Sequence, residues 1–206
     1  QLSIRWIEKS LNIYLNKILE TKDMDYVIAS DTDSVYITFD KLVTSVFKEG
    51  SDTNTIVNFL DKVAKEKLEP FIDKSYQALA EVTNAYEQKM VMGREAIADK
   101  GVWTAKKRYI LNVYDMEGVR YKEPKLKIMG LEAVKSSTPA PCREKLKEAI
   151  KLIMNGDEKE LNNFIQNFRE EFMSLPPEDI AYPRSCNGLK KFRGTDRLFA
   201  LGAPKH

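Results

Sequence analysis

Hydrophobic residues recur at 3.6-residue spacing from the first turn of the chain: Ile4, Ile7, Leu11, Tyr14, Leu15 and Ile18 share one helical face. After Lys22-Asp23 the period changes. Residues 26–30 and 35–39 are β-branched or aromatic runs that bracket the polar tetrad Asp31-Thr32-Asp33-Ser34, the pattern of a hairpin. Capping residues Ser51, Asp52, Thr53 and Asn54 open a second helix with the stripe Ile56, Phe59, Leu60 and Val63. Pro70 supplies no N–H to the ladder, so it should kink or restart that helix, which resumes to about Val82. Residues 86–96 read as a strand, 103–114 as another, and the turn Asp115-Met116-Glu117-Gly118 leads into a third over 119–121. Pro139 and Pro141 interrupt the pattern, two helices follow over 142–154 and 158–172, and the tail from Pro176 is loop-rich. The order of elements predicts an α+β fold, an antiparallel sheet with packed helices and a helical appendix, with a boundary between residues 130 and 139.

Composition adds exclusions. The 206 residues are 43% hydrophobic and 31% charged, which excludes bulk disorder and collagen-like repeats. No apolar run is long enough to span a membrane, so no membrane association is expected. Residues 1–10 do not form a signal peptide. Cys142, Cys186 and the single histidine His206 make neither a disulfide framework nor a zinc-ligand spacing, and an intracellular setting is the simplest expectation. The start and end of the sequence read as cut from a longer protein or encoded by a split gene. The net charge of +2 conceals an asymmetry. Residues 100–151 hold 13 Lys and Arg against 6 Asp and Glu, a surplus of +7 that leaves −5 for the remainder. That points either to nucleic acid as a partner or to a solvated basic face.

Two segments carry candidate chemistry. Asp31 and Asp33, two residues apart at the end of an apolar strand, would project to one side of an extended backbone. A divalent cation offsets their repulsion and can organise phosphate oxygens. Aspartates serving simply as turn formers are the plain alternative. An EF-hand is excluded, since Val35 and Tyr36 occupy the fifth and sixth loop positions. A haloacid-dehalogenase-type phosphatase would use Asp31 as nucleophile and Asp33 as general acid, but needs a downstream lysine and an acidic pair after another apolar strand; no such pair follows, and the neighbouring strands read as antiparallel. A polymerase palm hairpin is the third reading. Further on, Lys106, Lys107, Arg108 and Tyr109 read as a strand with cations on both faces. Such a strand is suited to tracking a phosphate backbone with Tyr109 as an aromatic surface, or to guarding a sheet edge. Lys122, Lys125, Lys127 and Lys135, with Ser136, Ser137 and Thr138, add donors for a nucleic-acid backbone.

These segments together resemble family B DNA polymerases, most closely those of T-even-type bacteriophages. Ser30-Asp31-Thr32-Asp33-Ser34 resembles palm motif C. Arg94-Glu95-Ala96-Ile97-Ala98 is similar to the strand that brings a third acidic residue near the metals, and Lys106-Lys107-Arg108-Tyr109 to the segment that holds primer–template DNA. Residues 124–132 and 135–139 resemble the palm-to-thumb junction, with Gly130 permitting a tight crossing. The resemblance implies residues 1–130 as the C-terminal part of a palm and 131–206 as the first part of a thumb. It implies two-metal nucleotidyl transfer with Mg2+ (or Mn2+), Asp31 and Asp33 as metal ligands and catalytic residues, and Glu95 as an auxiliary catalytic carboxylate. It further implies Thr32 beside the deoxynucleoside triphosphate, DNA contacts from Lys106, Lys107, Arg108, Tyr109, Lys127 and Lys135, and a cytoplasmic location in an infected bacterium. Motif A, motif B and the exonuclease segment do not occur in the sequence, and the segment Asp99-Lys100-Gly101-Val102 is shorter than in phage relatives. The expected partners therefore include the polypeptide that carries the N-terminal polymerase segment. The chain alone is expected to be inactive, and a non-catalytic DNA-binding subunit is the alternative.

Overall fold

A computed structural model describes residues 1–183. The chain divides into two units, Gln1–Lys127 and Ile128–His206. The first is α+β, as the hydrophobic periods predict. Helix α1 (Leu2–Ile18) turns Ile7, Leu11 and Leu15 inward. These meet the buried stripe of α4 (Glu69–Val82), in which Ile72, Tyr76 and Leu79 join Leu68 and Ala64 to form the main core with Tyr26 and Val27. Tyr14 stacks on Phe71 at 3.9 Å between ring centres. Trp6 Nε1 donates to the Ser75 carbonyl at 2.9 Å, so the largest side chain at this seam leaves no donor unpaired.

Helix α3 (Thr53–Val63) is capped by Asp52, whose side chain accepts from the Thr55 amide. It does not break at Pro70. It runs into α4 through a π turn, Ala64–Leu68. Two sequence features converge there. Pro70 crowds the carbonyl of Glu66 four residues before it and cannot bond to it. Meanwhile the core positions Ala64, Leu68, Ile72 and Tyr76 step by four residues, slightly more than one α turn, and a single wider turn absorbs the overshoot. Short helix α2 (Asp40–Val46), which the sequence reading lacked, buries no residue.

Strands β1 (Val27–Asp31) and β2 (Ser34–Ile37) form an antiparallel hairpin. Strands β3 (Ala96–Ala105), β4 (Arg108–Met116) and β5 (Val119–Met129) form a three-stranded sheet in that order. The expected boundaries shift here. The stretch before Ala96 holds no strand, and Trp103 belongs to β3 instead of opening the next strand. β5 is far longer than the three residues expected, because Lys122, Glu123 and Lys125 continue as an exposed strand that an apolar criterion does not detect. Glu117 and Gly118, both at positive φ (51° and 87°), make the tight β4–β5 turn that only glycine enters without strain at its second position. The sheet buries Leu111, Val113 and Tyr109, with Tyr36 and Trp103 packed on them.

In the second unit, α5 (Ala140–Asn155) packs on α6 (Glu158–Ser174), which is capped by Asp157. Lys145 bridges them: it pairs with Glu171 at 2.9 Å and lies over the rings of Phe164 and Phe168. A short helix, α7 (Pro177–Ile180), lies in the tail read as loop-rich. The expected thumb segment beyond Pro183, with Cys186 and His206, lies outside the described residues.

Candidate functional site

The carboxylate pair sits at the tip of the β1–β2 hairpin. Beyond a bulge between Val27 and Ala29, Ala29 and Asp31 share one face of the hairpin with Tyr36 and Ser34, while Ser30 and its partner Val35 take the other, the side on which Val27 and Ile37 join the main core. Asp31 pairs with Ser34, so Thr32 and Asp33 are the two turn residues. Asp31 is half-buried on the strand face, while Asp33 is exposed beyond it, and the two do not share an extended backbone as the spacing suggested. Thr32 takes φ +43°, an uncommon conformation for a β-branched residue. Three local bonds hold it. Thr32 Oγ1 donates to Asp31 Oδ1 at 3.0 Å, and Ser34 Oγ donates to the Asp31 carbonyl at 3.2 Å. The Asp33 amide donates to the same carbonyl at 2.5 Å. At the far end of the strand, Asn12 Oδ1 of α1 accepts from the amides of Tyr26 and Val27 at 2.8 and 3.0 Å. The hairpin is thus pinned to α1, whose inner face carries the buried Ile7, Leu11 and Leu15.

The basic segment is a turn, not a strand with two cationic faces. Ala105 pairs with Arg108, leaving Lys106 and Lys107 exposed at the β3–β4 tip, with Lys107 at φ +61°. The reading failed because three consecutive cations flanked by β-formers have the composition of an edge strand, and no glycine marks the turn. Tyr109, expected as an accessible aromatic surface, is only 8% exposed. Its ring meets Tyr36 edge-on at 5.4 Å, and Tyr36 meets Trp103 edge-on at 5.2 Å. Since Tyr36 pairs across the hairpin with Ala29, it lies on the same face as Asp31. This contact brings acidic and basic turns together. Asp31, Tyr36, Trp103, Lys106, Lys107 and Tyr109 line one open groove of about 260 Å3. Tyr36 and Trp103 are the functional candidates that sequence reasoning missed. The cross-strand partner of Ala29 was the available signal for Tyr36.

The remaining candidates are dispersed. Glu95 is exposed, immediately before β3, and pairs with Lys127 at 2.5 Å. Lys135 pairs with Glu132 at 3.0 Å in the second unit. Among the described residues no three acidic, histidine or cysteine side chains cluster as a metal site, so Asp31, Asp33 and Glu95 do not form one. Asp31 and Asp33 do have the donor chemistry for a partial site: Mg2+ is held by one or two carboxylates and completes its shell with waters and substrate phosphates. Arg94, the neighbour of Glu95, has a different task. Its guanidinium joins Asp61 of α3 to Asp115 of β4, and Arg120 of β5 reaches Asp115 at 3.1 Å and Asn58 at 2.9 Å. Burial alone would push the Asp115 carboxyl up. The bonds from Arg94, Arg120 and the Gly118 amide outweigh it and hold the group below the usual carboxylate range.

β1 pairs antiparallel with β2, whereas a dehalogenase-type site needs its aspartates at the end of a parallel strand. No helix among the described residues is long and apolar enough to cross a membrane. No protein-family model matches the sequence. Two curated proteins do. The DNA-directed DNA polymerase of Enterobacteria phage T4 is 43% identical over 204 residues, and that of Escherichia phage RB69 is 44% identical over 201. Each match covers 93% of this chain and 22% of the relative, so the chain spans about a fifth of the length of the polymerases it matches. The resemblance read from the motifs is therefore borne out along nearly the whole sequence: this chain is similar to one continuous segment of the DNA-directed DNA polymerases of T4-like phages.

Proposed function

We propose that this chain is the segment of a family B replicative DNA polymerase that carries two of the metal-binding carboxylates and the basic turn beside them. Residues 1–130 would be the C-terminal part of the palm and 131–206 the beginning of the thumb. The observation that carries this reading is the shared groove: Asp31 lines it from one hairpin and Lys106 and Lys107 from another. Apposed acidic and basic turns suit a polyanion whose reacting end must lie near the carboxylates while its backbone is neutralised nearby.

In this reading Asp31 and Asp33 hold Mg2+, which supplies charge to triphosphate oxygens and favours ionisation of a primer hydroxyl. Lys106 and Lys107 neutralise primer–template phosphates, and Arg108 supports them from the start of β4. Thr32, at the tip between the aspartates, faces the deoxynucleoside triphosphate. Glu95 acts as an auxiliary carboxylate whose charge Lys127 tempers. Lys135 adds a thumb-side DNA contact, and the setting is the cytoplasm of an infected bacterium.

The test has two parts. In a polypeptide extended to include the other polymerase segments, Asp33→Asn should remove nearly all nucleotide incorporation. Asp31→Asn should impair it, and both should keep primer–template affinity. An aspartyl-phosphate trapped on Asp31, or hydrolysis of a small phosphomonoester by the chain, would overturn the assignment.

A further inference from the structure

The stretch that leads into β3 has the character of a strand without a partner. Gln88, Met90, Met92, Arg94 and Ala96 are half-buried, while Lys89, Val91, Gly93 and Glu95 are exposed, the period-2 alternation of extended backbone. Met90 and Met92 pack on the main core. β4 ends where Met116 pairs with Ala96, and beyond it the Glu117 amide bonds the Glu95 carbonyl. Residues 88–94 therefore run past the end of the sheet for about 23 Å. Main-chain groups of successive residues point to opposite edges of such a strand. One edge is closed by side chains. Gln88 takes the place of a neighbouring strand's peptide: its Oε1 accepts from the Met90 amide and its Nε2 donates to the Met90 carbonyl. Glu69 Oε1 accepts from the Arg94 amide at 2.9 Å. The other edge, formed by Lys89, Val91 and Gly93, is open: among the described residues no hydrogen bond engages the main chain of these three. Tyr86 and Val91, the two most exposed large apolar side chains among the described residues, belong to the same stretch.

We propose that residues 88–94 are a docking edge, onto which an extended segment from the remainder of the polymerase adds as a strand along Lys89, Val91 and Gly93. This rests on the polymerase reading of the chain and gives that reading an interaction surface. In strand addition main-chain bonds give affinity and alternate side chains give specificity. An open edge with an exposed apolar side chain is otherwise a liability that a chain covers or charges. Each match covers 22% of the relative, so most of the polymerase lies outside the matched segment and is the source of that strand. The incoming segment presents its amides and carbonyls to the three open residues and an apolar side chain opposite Val91, and Gly93 has no side chain to obstruct it. The edge runs directly into Arg94, anchored on Asp61 and Asp115, and then Glu95. A strand seated there therefore meets a fixed end beside the auxiliary carboxylate.

The experiment compares amide hydrogen exchange of residues 88–94, read by mass spectrometry, in the 206-residue chain and in the polypeptide extended to include the other polymerase segments. Exchange should be fast in the chain alone and slower by about tenfold or more in the extended polypeptide. Val91→Pro removes an amide that the chain itself leaves unbonded, so the melting temperature of the 206-residue chain should move by no more than about 3 °C. In the extended polypeptide the same change should abolish the added protection of Lys89 and Gly93. Val91→Lys keeps the amide and charges the edge; it should also reduce the protection, and it serves should Val91→Pro fail to fold. Equal exchange in the two polypeptides, with the extended one incorporating nucleotide, overturns the docking edge and leaves the polymerase reading standing. Protection that appears in the 206-residue chain with rising concentration, together with a dimer in sedimentation, makes a second copy the occupant and overturns the proposal. An extended polypeptide that neither protects these amides nor incorporates nucleotide overturns both.

Discussion

Arg94 stands between two carboxylates with only 10% of its side chain exposed, and Asp115 is 2% exposed. Removing one member of such a buried set strands the charge of the others. Arg94→Met should therefore lower the unfolding free energy by about 3–5 kcal/mol in a denaturant titration. The same set makes the fold acid-sensitive. The folded pKa of Asp115 lies below its unfolded value, so its contribution is complete above the normal carboxylate range and is lost as pH falls through the depressed value. Asp115→Asn should weaken the protein at neutral pH and flatten the acid limb of its thermal stability. Tyr36 governs the other limb. Burial first, and then the bond to Tyr109, push its hydroxyl from 10.0 up to about 12. The folded state favours the neutral phenol, so its contribution is present below pH 10 and is lost as pH rises through about 12. Melting temperatures of Tyr36→Phe across that window should fall less steeply than those of the parent.

The paired elements that matter most are two hairpins whose tips hold non-glycine residues in left-handed conformations, Thr32 and Lys107. Each such residue costs roughly 1–2 kcal/mol, so both turns keep side chains that glycine would relieve. The basic tip has a direct consequence. Affinity of the chain for primer–template should fall with salt at a log–log slope of roughly −0.9 per phosphate engaged. Lys106→Ala/Lys107→Ala should flatten that slope by about 1 to 2 units, as read by fluorescence anisotropy over a salt series. The acidic hairpin was legible in the sequence because β-branched runs flank a polar tetrad, and α1, α5 and α6 were legible from their periodicity. The basic hairpin was not. Its turn is written in lysines, which carry no turn signal, and its strands continue through charged positions. The Arg94 bridge was equally invisible, since it joins residues from three elements whose proximity only the fold creates. Tyr36 could be read only once the pairing of β1 with β2 was fixed.

At the scale of the molecule, the proposed polymerase reading of a chain that spans about a fifth of its relatives' length sets an expectation for the isolated chain: it should bind primer–template but incorporate no nucleotide with Mg2+ or Mn2+. Extension above a mock preparation would refute this. The first unit is also held together over very different sequence distances. Each hairpin closes on itself within a few residues, whereas Arg120 reaches Asn58 across 62 positions and Trp6 reaches Ser75 across 69. Loop-closure entropy makes near contacts form first and distant ones last. The Arg120–Asn58 contact is then expected to close after the rate-limiting step, whereas the Arg120–Asp115 pair, five residues apart, belongs to the early hairpin. Removing the distant contact with Asn58→Ala should leave the refolding rate nearly unchanged and raise the unfolding rate by most of the lost stability, seen as a shift of the unfolding arm alone in stopped-flow measurements. The residues that give this unit its lifetime would then be distinct from those that give it its speed of assembly.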